Sequence, residues 1–220
     1  MNFIAATVEL KSHSNDTVTF AGIDYCAASA SVPAANSNGE VKLQLLCYNA
    51  EGSQKLATFK NWQAGKRVLI SGQIHFSDDP KEPLSLVVKT LEPNIPQDMY
   101  INQVVLGNAF FGDDQIKDRK NNQVAVKIGT TLDDSEITTW LYMETHEQRK
   151  KKLSARIRKG RPICVQGYLR EYRKDDSDSP YRAIVADDFT TRKERGKTQR
   201  GTPPNSSSVG YAEIDPTPDY

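Results

Sequence analysis

The sequence predicts an all-β protein of two tandem five-stranded barrels followed by a flexible C-terminal tail. Three observations support this prediction. The octapeptide GKRVLISG (65–72) returns 95 positions later as GRPICVQG (160–167). Apolar segments follow the same order around each copy, and 220 residues are enough for two such units. Residues 192–220 are rich in Gly, Ser, Pro and charge, with too little apolar surface for a core.

The similarity between the two halves extends beyond the octapeptide. LLCY (45–48) matches WLYM (140–143) with the same spacing of 95, and NFIAATV (2–8) resembles NQVVLGN (102–108) at the front of each half. A period this long is typical of a duplicated domain and not of a solenoid.

The domain boundaries follow from the repeat and from the composition between its copies. LEPNIPQDM (91–99) contains two prolines and little apolar character, which is typical of a linker. We therefore predict a first, divergent domain over residues 1–93 and a second domain over residues 99–191. Residues 192–220 form the predicted tail.

Each unit is predicted to contain three strands, one helix and two further strands. Alternation is clearest in VAVKI (124–128), and Leu153 and Ile157 give the second helix a narrow apolar face. Gly65 and Gly160 are expected just beyond the helix ends. The predicted strands are 3–10, 18–32, 41–48, 66–76 and 84–91, then 100–111, 124–130, 137–143, 162–173 and 181–188. The predicted helices are 53–63 and 147–158.

This order of elements is that of the OB fold, a five-stranded barrel with its helix between strands three and four. OB barrels bind oligonucleotides or oligosaccharides on one face. Other small β-barrels share the order, so the fold alone does not decide the function.

Composition favours a cytosolic protein without catalytic chemistry. The chain has no apolar run of membrane-spanning length, and its first residues lack the basic leader and apolar centre of a signal peptide. Three widely spaced cysteines indicate reduced thiols, and three isolated histidines form no metal motif. Phosphate-binding and nucleophile motifs are missing. We expect no enzyme activity, no cofactor and a cytoplasmic location.

Four motifs of the second unit occur in an order that is informative. They are YINQVVLGN (100–108), ITTWLYMETHEQ (137–148), RKG (158–160) and ICVQGYLREY (163–172). In this order they resemble the bacterial single-stranded DNA-binding protein (SSB) family, which has a Thr-x-Trp motif, a helix closing on Lys-Gly and a strand ending in Gly-x-Leu. The resemblance covers residues 99–190 well and 1–92 more faintly.

The C-terminal residues also resemble this family, which ends in an acidic tip closed by Pro-Phe that binds replication and repair proteins. Here the end is AEIDPTPDY, with Asp219 between the proline and the aromatic and Tyr in place of Phe. The resemblance implies a partner-binding tip made of Asp215, Pro218, Asp219 and Tyr220.

The resemblance places Trp140 at the position of the family's stacking tryptophan. Tyr142 points to the same side of the strand, while Leu141 and Met143 supply a core face. The alternative is that both aromatics are core residues. His146 lies where the family has a second aromatic, although it would also serve to start the helix.

Cations and further aromatics complete the predicted binding surface. RKKKLSARIRKGR (149–161) has eight basic residues and no acid, which indicates either phosphate contact or a solvated helix face. In the second unit the candidates are Trp140, Tyr142, His146, Lys127, Arg149, Lys150, Lys151, Arg170, Tyr172 and Arg173. In the first unit they are Lys66, Arg67 and Phe76.

The first unit is predicted to be the poorer platform. At the spacing of 95, Leu45 takes the place of Trp140 and Glu51 that of His146, while Trp62 is expected in the core. This unit could serve mainly in assembly.

These observations predict a protein that coats single-stranded DNA without sequence specificity, in replication, recombination and repair. Family members assemble four barrels, so the resemblance implies a homodimer located with the nucleoid. Two alternatives stay open at the level of sequence: an OB-fold adaptor of a primosome-like complex, and an RNA-binding OB protein.

Overall fold

The computed structural model of the chain describes residues 2–33, 40–77, 82–132, 137–172 and 180–191, and the structural statements below concern these residues. The predicted tail, residues 192–220, lies outside them.

The first barrel is closed by five strands in the order β1–β2–β3–β5–β4–β1. The pair β3–β5 is parallel and the other four pairs are antiparallel. This order confirms the predicted OB topology. Its elements are β1 (Asn2–Phe20), β2 (Ile23–Val32), β3 (Val41–Tyr48), α1 (Gln54–Asn61), β4 (Arg67–His75) and β5 (Leu84–Glu92).

The second barrel repeats this order with one additional strand. It closes through β6–β8–β9–β11–β10–β6, again with one parallel pair, β9–β11. Its elements are β6 (Asn102–Phe111), β7 (Lys117–Arg119), β8 (Gln123–Thr131), β9 (Thr138–His146), a 3₁₀ turn (Glu147–Arg149), α2 (Lys150–Ser154), β10 (Pro162–Tyr172) and β11 (Tyr181–Thr191). The prediction of an all-β chain with two tandem barrels is confirmed.

The two barrels are joined through β1. Residues 2–6 of β1 pair antiparallel with residues 102–106 of β6, so the eleven strands form one continuous sheet. The apolar interiors of both barrels belong to one contiguous buried cluster. The sequence predicted the two barrels but not this shared strand pairing.

Each barrel begins with an asparagine, and the two asparagines make equivalent hydrogen bonds. The Asn2 amide donates to the carbonyl of Ile74 (2.8 Å) and accepts from its N–H (3.1 Å). Asn102 does the same with Leu169, at 2.9 and 3.0 Å. A buried backbone group needs a hydrogen-bond partner. These bonds supply one to the N–H and carbonyl of Ile74 and Leu169, which lie beyond the residues of β4 and β10 that pair with β1 and β6.

The predicted start of the second strand is wrong. β1 continues to Phe20, and the chain reverses at Ala21 and Gly22, which have φ values of 53° and 74°. Two residues of positive φ fit the right-handed twist of a hairpin, but alanine gives little signal for such a turn. The strand β7 was missed in the same way, beside Asn121 and Asn122 at φ 60° and 54°.

Both helices are shorter than predicted. α1 ends at Asn61, and the second helical stretch ends at Ser154 and not at residue 158. The carbonyl of Leu153 accepts from the N–H groups of Arg156 and Ile157, which closes the last turn. Gly65 and Gly160 stand beyond the helices in separate turns, at φ 79° and 77°. Like charges four residues apart disfavour a longer basic helix.

Candidate nucleic-acid interface

Trp140 projects outward from the middle of the second barrel. On β9, Leu141 and Met143 point into the core, whereas Trp140 is 37% exposed and Tyr142 is half-buried. The alternation of a half-buried strand therefore separates the core residues from the two aromatics, as predicted. The alternative placement of Trp140 in the core is wrong.

The indole of Trp140 lies over two glycines. Gly129 is its cross-strand partner on β8, and a Cβ at Gly129 or at Gly112 would lie 2.8 Å from the indole ring. Phe110 meets the ring edge-on, with centroids 5.5 Å apart. These contacts hold the indole in one orientation. Sequence reasoning missed the glycines because only the strand register brings them under Trp140.

Three tyrosines continue the aromatic surface across neighbouring strands. Tyr142 on β9 and Tyr181 on β11 have ring centroids 5.6 Å apart, and Tyr181 and Tyr172 on β10 are 6.0 Å apart. Tyr142 and Tyr172 were predicted candidates, whereas Tyr181 was missed. We call Trp140, Tyr142, Tyr181 and Tyr172 the aromatic row.

A buried carboxylate lies under the aromatic row. Glu144 is 2% exposed, and it accepts a hydrogen bond from the hydroxyl of Tyr172 (3.1 Å). Burial raises the pKa of Glu144, opposed by a hydrogen bond from Tyr181 and by the charges of Arg170 and Arg119. Burial, and then the charge of Glu144, raise the pKa of Tyr181. The Tyr181 hydroxyl therefore stays protonated, and the Tyr172 hydroxyl is held by its hydrogen bond to the carboxylate.

Basic side chains stand over the rings of this row. The Lys127 ammonium is 5.0 Å from the centroid of the Trp140 ring, and the Arg170 guanidinium is 4.0 Å from that of Tyr172. Arg119 lies between Tyr142 and Tyr181, at 5.4 and 4.7 Å from their centroids. Lys127 and Arg170 were predicted, and cation–π attraction explains their placement.

Sequence reasoning missed two of these cations, Arg119 and Lys117. The Lys117 ammonium donates to the Tyr142 hydroxyl at 3.0 Å. Lys117 and Arg119 both belong to β7, a three-residue strand with no period that a sequence could show.

Acids from other elements pair with the basic stretch after β9. Lys150 contacts Asp118 at 2.6 Å, and Arg149 and Lys152 share Asp188 at 3.7 and 3.8 Å. Exposed ion pairs of this kind contribute only about 0–1 kcal/mol each to stability. These cations can therefore exchange their carboxylate partners for another anion.

Lys151 and His146 border this stretch in different ways. Lys151 is exposed and has no ion-pair partner among the described residues. His146 is exposed as well, but its Nδ1 accepts from the N–H of Gln148 at 3.2 Å. His146 therefore starts the 3₁₀ turn, which was the alternative reading for this residue.

The three predicted candidates of the first barrel lie at opposite ends of β4. Lys66 and Arg67 lie at the beginning of β4, and the Arg67 guanidinium donates to the carbonyl of Gln97 (2.9 Å). Phe76 follows the other end of β4, about 30 Å away at the usual rise per residue. Phe76 is only 8% exposed, so it offers no open ring for stacking.

The predicted match of Leu45 to Trp140 is wrong. A Cβ at Gly72 would overlap the carbonyl oxygen of Val87, and one at Gly167 that of Val185, so these residues correspond. Val87 pairs with Leu46 and Val185 with Glu144, which sets the spacing of β3 and β9 at 98 positions.

The corrected register changes the counterparts in the first barrel. Lys42 stands in the place of Trp140, Gln44 in that of Tyr142, and Tyr48 in that of His146. The burial pattern of β3 from Val41 to Tyr48 is the same as that of β9 from residue 139 to 146. Tyr48 is 53% exposed, so the first barrel does present an aromatic at this edge.

Two solved structures resemble this chain along most of its length. The wild-type single-stranded DNA binding protein from Thermus aquaticus matches with a TM-score of 0.59 and 15% identity, covering 91% of this chain and 97% of that one. A deletion mutant of the Thermus protein gives 0.54 and 15%, covering 94% and 98%. This chain has the SSB fold. The resemblance seen in the motifs of the second unit is thus confirmed at the level of fold, and the SSB fold extends over both units.

No protein-family model and no curated protein matches the sequence. The SSB fold is thus recognised from the arrangement of strands, since 15% identity leaves few positions in common.

Some predicted site residues fall outside the described part of the chain. These are Arg173 and the tip residues Asp215, Pro218, Asp219 and Tyr220. Within the described part there is no cluster of three or more metal-ligating side chains, and no helix is long and apolar enough to cross a membrane.

Proposed function

We propose that this protein binds single-stranded DNA without sequence specificity, through the aromatic row and the cations that stand over it. One observation carries the proposal: an exposed Trp140 held in a fixed orientation next to three tyrosines. The fold is shared with the single-stranded DNA binding protein from Thermus aquaticus, and this similarity supports the proposal.

Stacking is the first part of the proposed mechanism. Every base has a π-face, so a row of rings accepts any sequence, and each stacked base contributes about 1–3 kcal/mol. Trp140 rests on Gly112 and Gly129, which already orient its ring, so little side-chain entropy is lost when a base stacks on it.

The cations supply the second part. In the free protein Lys127 occupies the face of Trp140, and Arg119 lies between two rings of the row. An incoming base replaces the ammonium on the indole, and the flexible lysine stem then carries the charge to a neighbouring phosphate. Each phosphate neutralised this way steepens the salt dependence, with a slope of about −0.7 per contact for single strands.

We extend the proposal to the cellular role and to the assembly. The resemblance of the motifs supports a role in replication, recombination and repair at the nucleoid, a homodimer that presents four barrels, and partner docking by the C-terminal tip. The mass of the chain in solution tests the dimer. Removal of Asp215 to Tyr220 tests the tip, because it should abolish partner binding and leave DNA affinity unchanged.

Titration with oligo-dT tests the binding itself. The indole of Trp62 is buried and donates to the carbonyl of Lys66 (3.0 Å), so quenching by bound DNA should report Trp140 alone. We expect strong quenching of the unaltered chain at low salt. Trp140→Ala lacks this reporter, so its affinity is measured by fluorescence anisotropy of labelled oligo-dT, and we expect a 5- to 150-fold loss, which corresponds to about 1–3 kcal/mol. Lys42→Ala is the matched control, because Lys42 is the counterpart of Trp140 in the first barrel.

Two results would contradict the proposal. One is the absence of binding to oligo-dT at low salt. The other is an unchanged affinity in Trp140→Ala. Competition with poly-U in the same assay separates DNA preference from RNA binding, since stacking alone accepts both sugars.

A further inference from the structure

A small cavity lies where the first barrel touches the aromatic row. Its volume is about 260 Å³, and one wall is formed by Trp140, Tyr142 and Tyr181 of the second barrel. Phe76 and Ser77, which follow β4 of the first barrel, also line this cavity. Whole small-molecule sites occupy about 300–1,000 Å³, so this cavity suits a single ring system.

Phe76 and Glu82, which lie between β4 and β5 of the first barrel, each make hydrogen bonds to the second barrel. The hydroxyl of Thr139 accepts from the Phe76 N–H (2.6 Å) and donates to the Phe76 carbonyl (2.9 Å). Arg182 donates to the carbonyl of Glu82 at 2.5 Å. Both contacts stand next to the cavity, so its wall from the first barrel is held in place before any ligand arrives.

Further polar contacts keep these residues in position. The Ser77 hydroxyl donates to the Glu82 carboxylate at 2.5 Å, which links the residues that follow β4 to those that precede β5. Arg182 is itself held by Glu171 at 2.9 Å, in a pair that is nearly buried. A buried charge pair with additional hydrogen bonds is a rigid support.

The chemistry of the lining matches one nucleotide. Trp140 and Tyr142 offer π-faces, and Lys127 adds a cation to the lining. A base stacks on the first of these groups, and a phosphate pairs with the second.

We infer that this cavity holds one base of the bound strand, enclosed between the two barrels, with the first barrel supplying one wall. The inference rests on the proposed function and deepens it. It gives the first barrel a part in binding although its own β3 presents Lys42 where β9 presents Trp140. The site for this base is incomplete without the first barrel.

Photocrosslinking tests the inference on the unaltered chain. Oligo-dT carries a single 5-iodouracil, moved one position at a time, and crosslinked peptides are identified by mass spectrometry. At one position of the iodinated base we expect crosslinks both to the peptide with Ser77 and to the peptide with Trp140. Crosslinks to the second barrel alone, with normal affinity, would overturn the shared cavity but leave the proposed function intact. Failure of the chain to bind oligo-dT would instead refute the proposed function.

A pair of variants at one position gives an independent measurement. Ser77→Phe fills the cavity, and we expect it to weaken oligo-dT binding at least about fivefold, as for the loss of one stacked base. Ser77→Ala leaves the cavity open and should weaken binding less than Ser77→Phe does. Fluorescence anisotropy of labelled oligo-dT gives both affinities, and circular dichroism checks the fold. Equal affinities of the two variants would overturn the inference.

Discussion

At the scale of single residues, Trp140 shows how an exposed aromatic can be held rigidly on a strand. A large ring on a barrel surface ordinarily samples several rotamers. Here Gly129 leaves room for the indole to lie flat across the neighbouring strand, and Phe110 packs against its edge. Cross-strand contacts of aromatics with glycine stabilise such an arrangement. The orientation of Trp140 is therefore set by its neighbours within the barrel.

This view predicts the effect of a methyl group under the indole. In Gly129→Ala the new Cβ would lie 2.7 Å from the Phe110 ring and 2.8 Å from Trp140. We expect Trp140 to be displaced and oligo-dT affinity to fall about fivefold or more, measured by anisotropy. In a Trp140→Ala background the same change should have little further effect, because sites that act through one contact are not additive. Additive losses in the double variant would contradict the prediction.

Glu144 leads to a prediction about pH. Its pKa in the folded chain is raised by burial, so ionisation of Glu144 costs more in the folded than in the unfolded chain. Protonated Glu144 therefore contributes to the stability of the folded chain at low pH. This contribution to the free energy of unfolding is lost as pH rises through the raised pKa.

The variant Glu144→Gln lacks this titration. We expect the free energy of unfolding of the variant, minus that of the unaltered chain, to increase between pH 4 and pH 8. The lower limit is near the ordinary pKa of a glutamate, about 4.3. Urea unfolding at several pH values measures the difference, and all other groups titrate alike in both proteins. Parallel pH profiles would show that Glu144 does not titrate as stated.

Sequence alone could predict part of this site. Period-two alternation on β9 separated Trp140 and Tyr142 from the core, which local pattern can show. Tyr181 and Arg119 come from strands far away in the chain, and they reach the row only through the register of β11 and β7. No local pattern encodes such a neighbour, so these residues had to come from the structure.

At the scale of elements, the repeated octapeptide marks a bulge in the fourth strand of each barrel. The register of β4 against β5 shifts between Ser71 and Gly72, and that of β10 against β11 between Gln166 and Gly167. The closing glycine brings its Cα against a carbonyl oxygen of the neighbouring strand. The two glycines recur because each barrel must bend its fourth strand at this point.

Replacing the second of these glycines should destabilise its barrel. A Cβ in Gly167→Ala would overlap the carbonyl oxygen of Val185, which is backbone and cannot rotate away. Overpacking of this kind costs about 1–3 kcal/mol, so we expect a loss of that size in urea unfolding. Gln166→Ala, at the exposed neighbour, is the control and should stay within about 0.5 kcal/mol. Equal stability of the two variants would show that the bulge relaxes freely.

The limits of prediction at this scale have a physical cause. The strand Val41–Tyr48 was predicted with its observed bounds, because its apolar run is bounded by polar residues. The third strands were predicted to lie 95 positions apart in the chain, but their spacing is 98. The connection from β3 to β4 is three residues shorter in the second unit, where a 3₁₀ turn and a shorter helix replace α1.

At the scale of the whole molecule, the two barrels pack against each other and are not independent domains joined only by a linker. β1 pairs with β4 and β6 at once, and Thr139 binds the backbone of Phe76. One contiguous apolar cluster runs through both interiors. Unfolding one barrel would expose the partner strand and part of the core of the other.

This coupling predicts a single cooperative unfolding transition, and the chain carries its own probes for it. Trp62 lies in the first barrel and Trp140 in the second, so Trp140→Phe and Trp62→Phe leave one reporter each. Within each variant we expect the urea midpoint from tryptophan fluorescence to coincide with that from far-UV circular dichroism, which follows both barrels. Trp62→Phe should lower both of its midpoints together, because it removes a buried indole from the shared core. A fluorescence midpoint separated from the dichroism midpoint would show that the barrels unfold independently, and the β1–β6 pairing would then contribute little to their coupling.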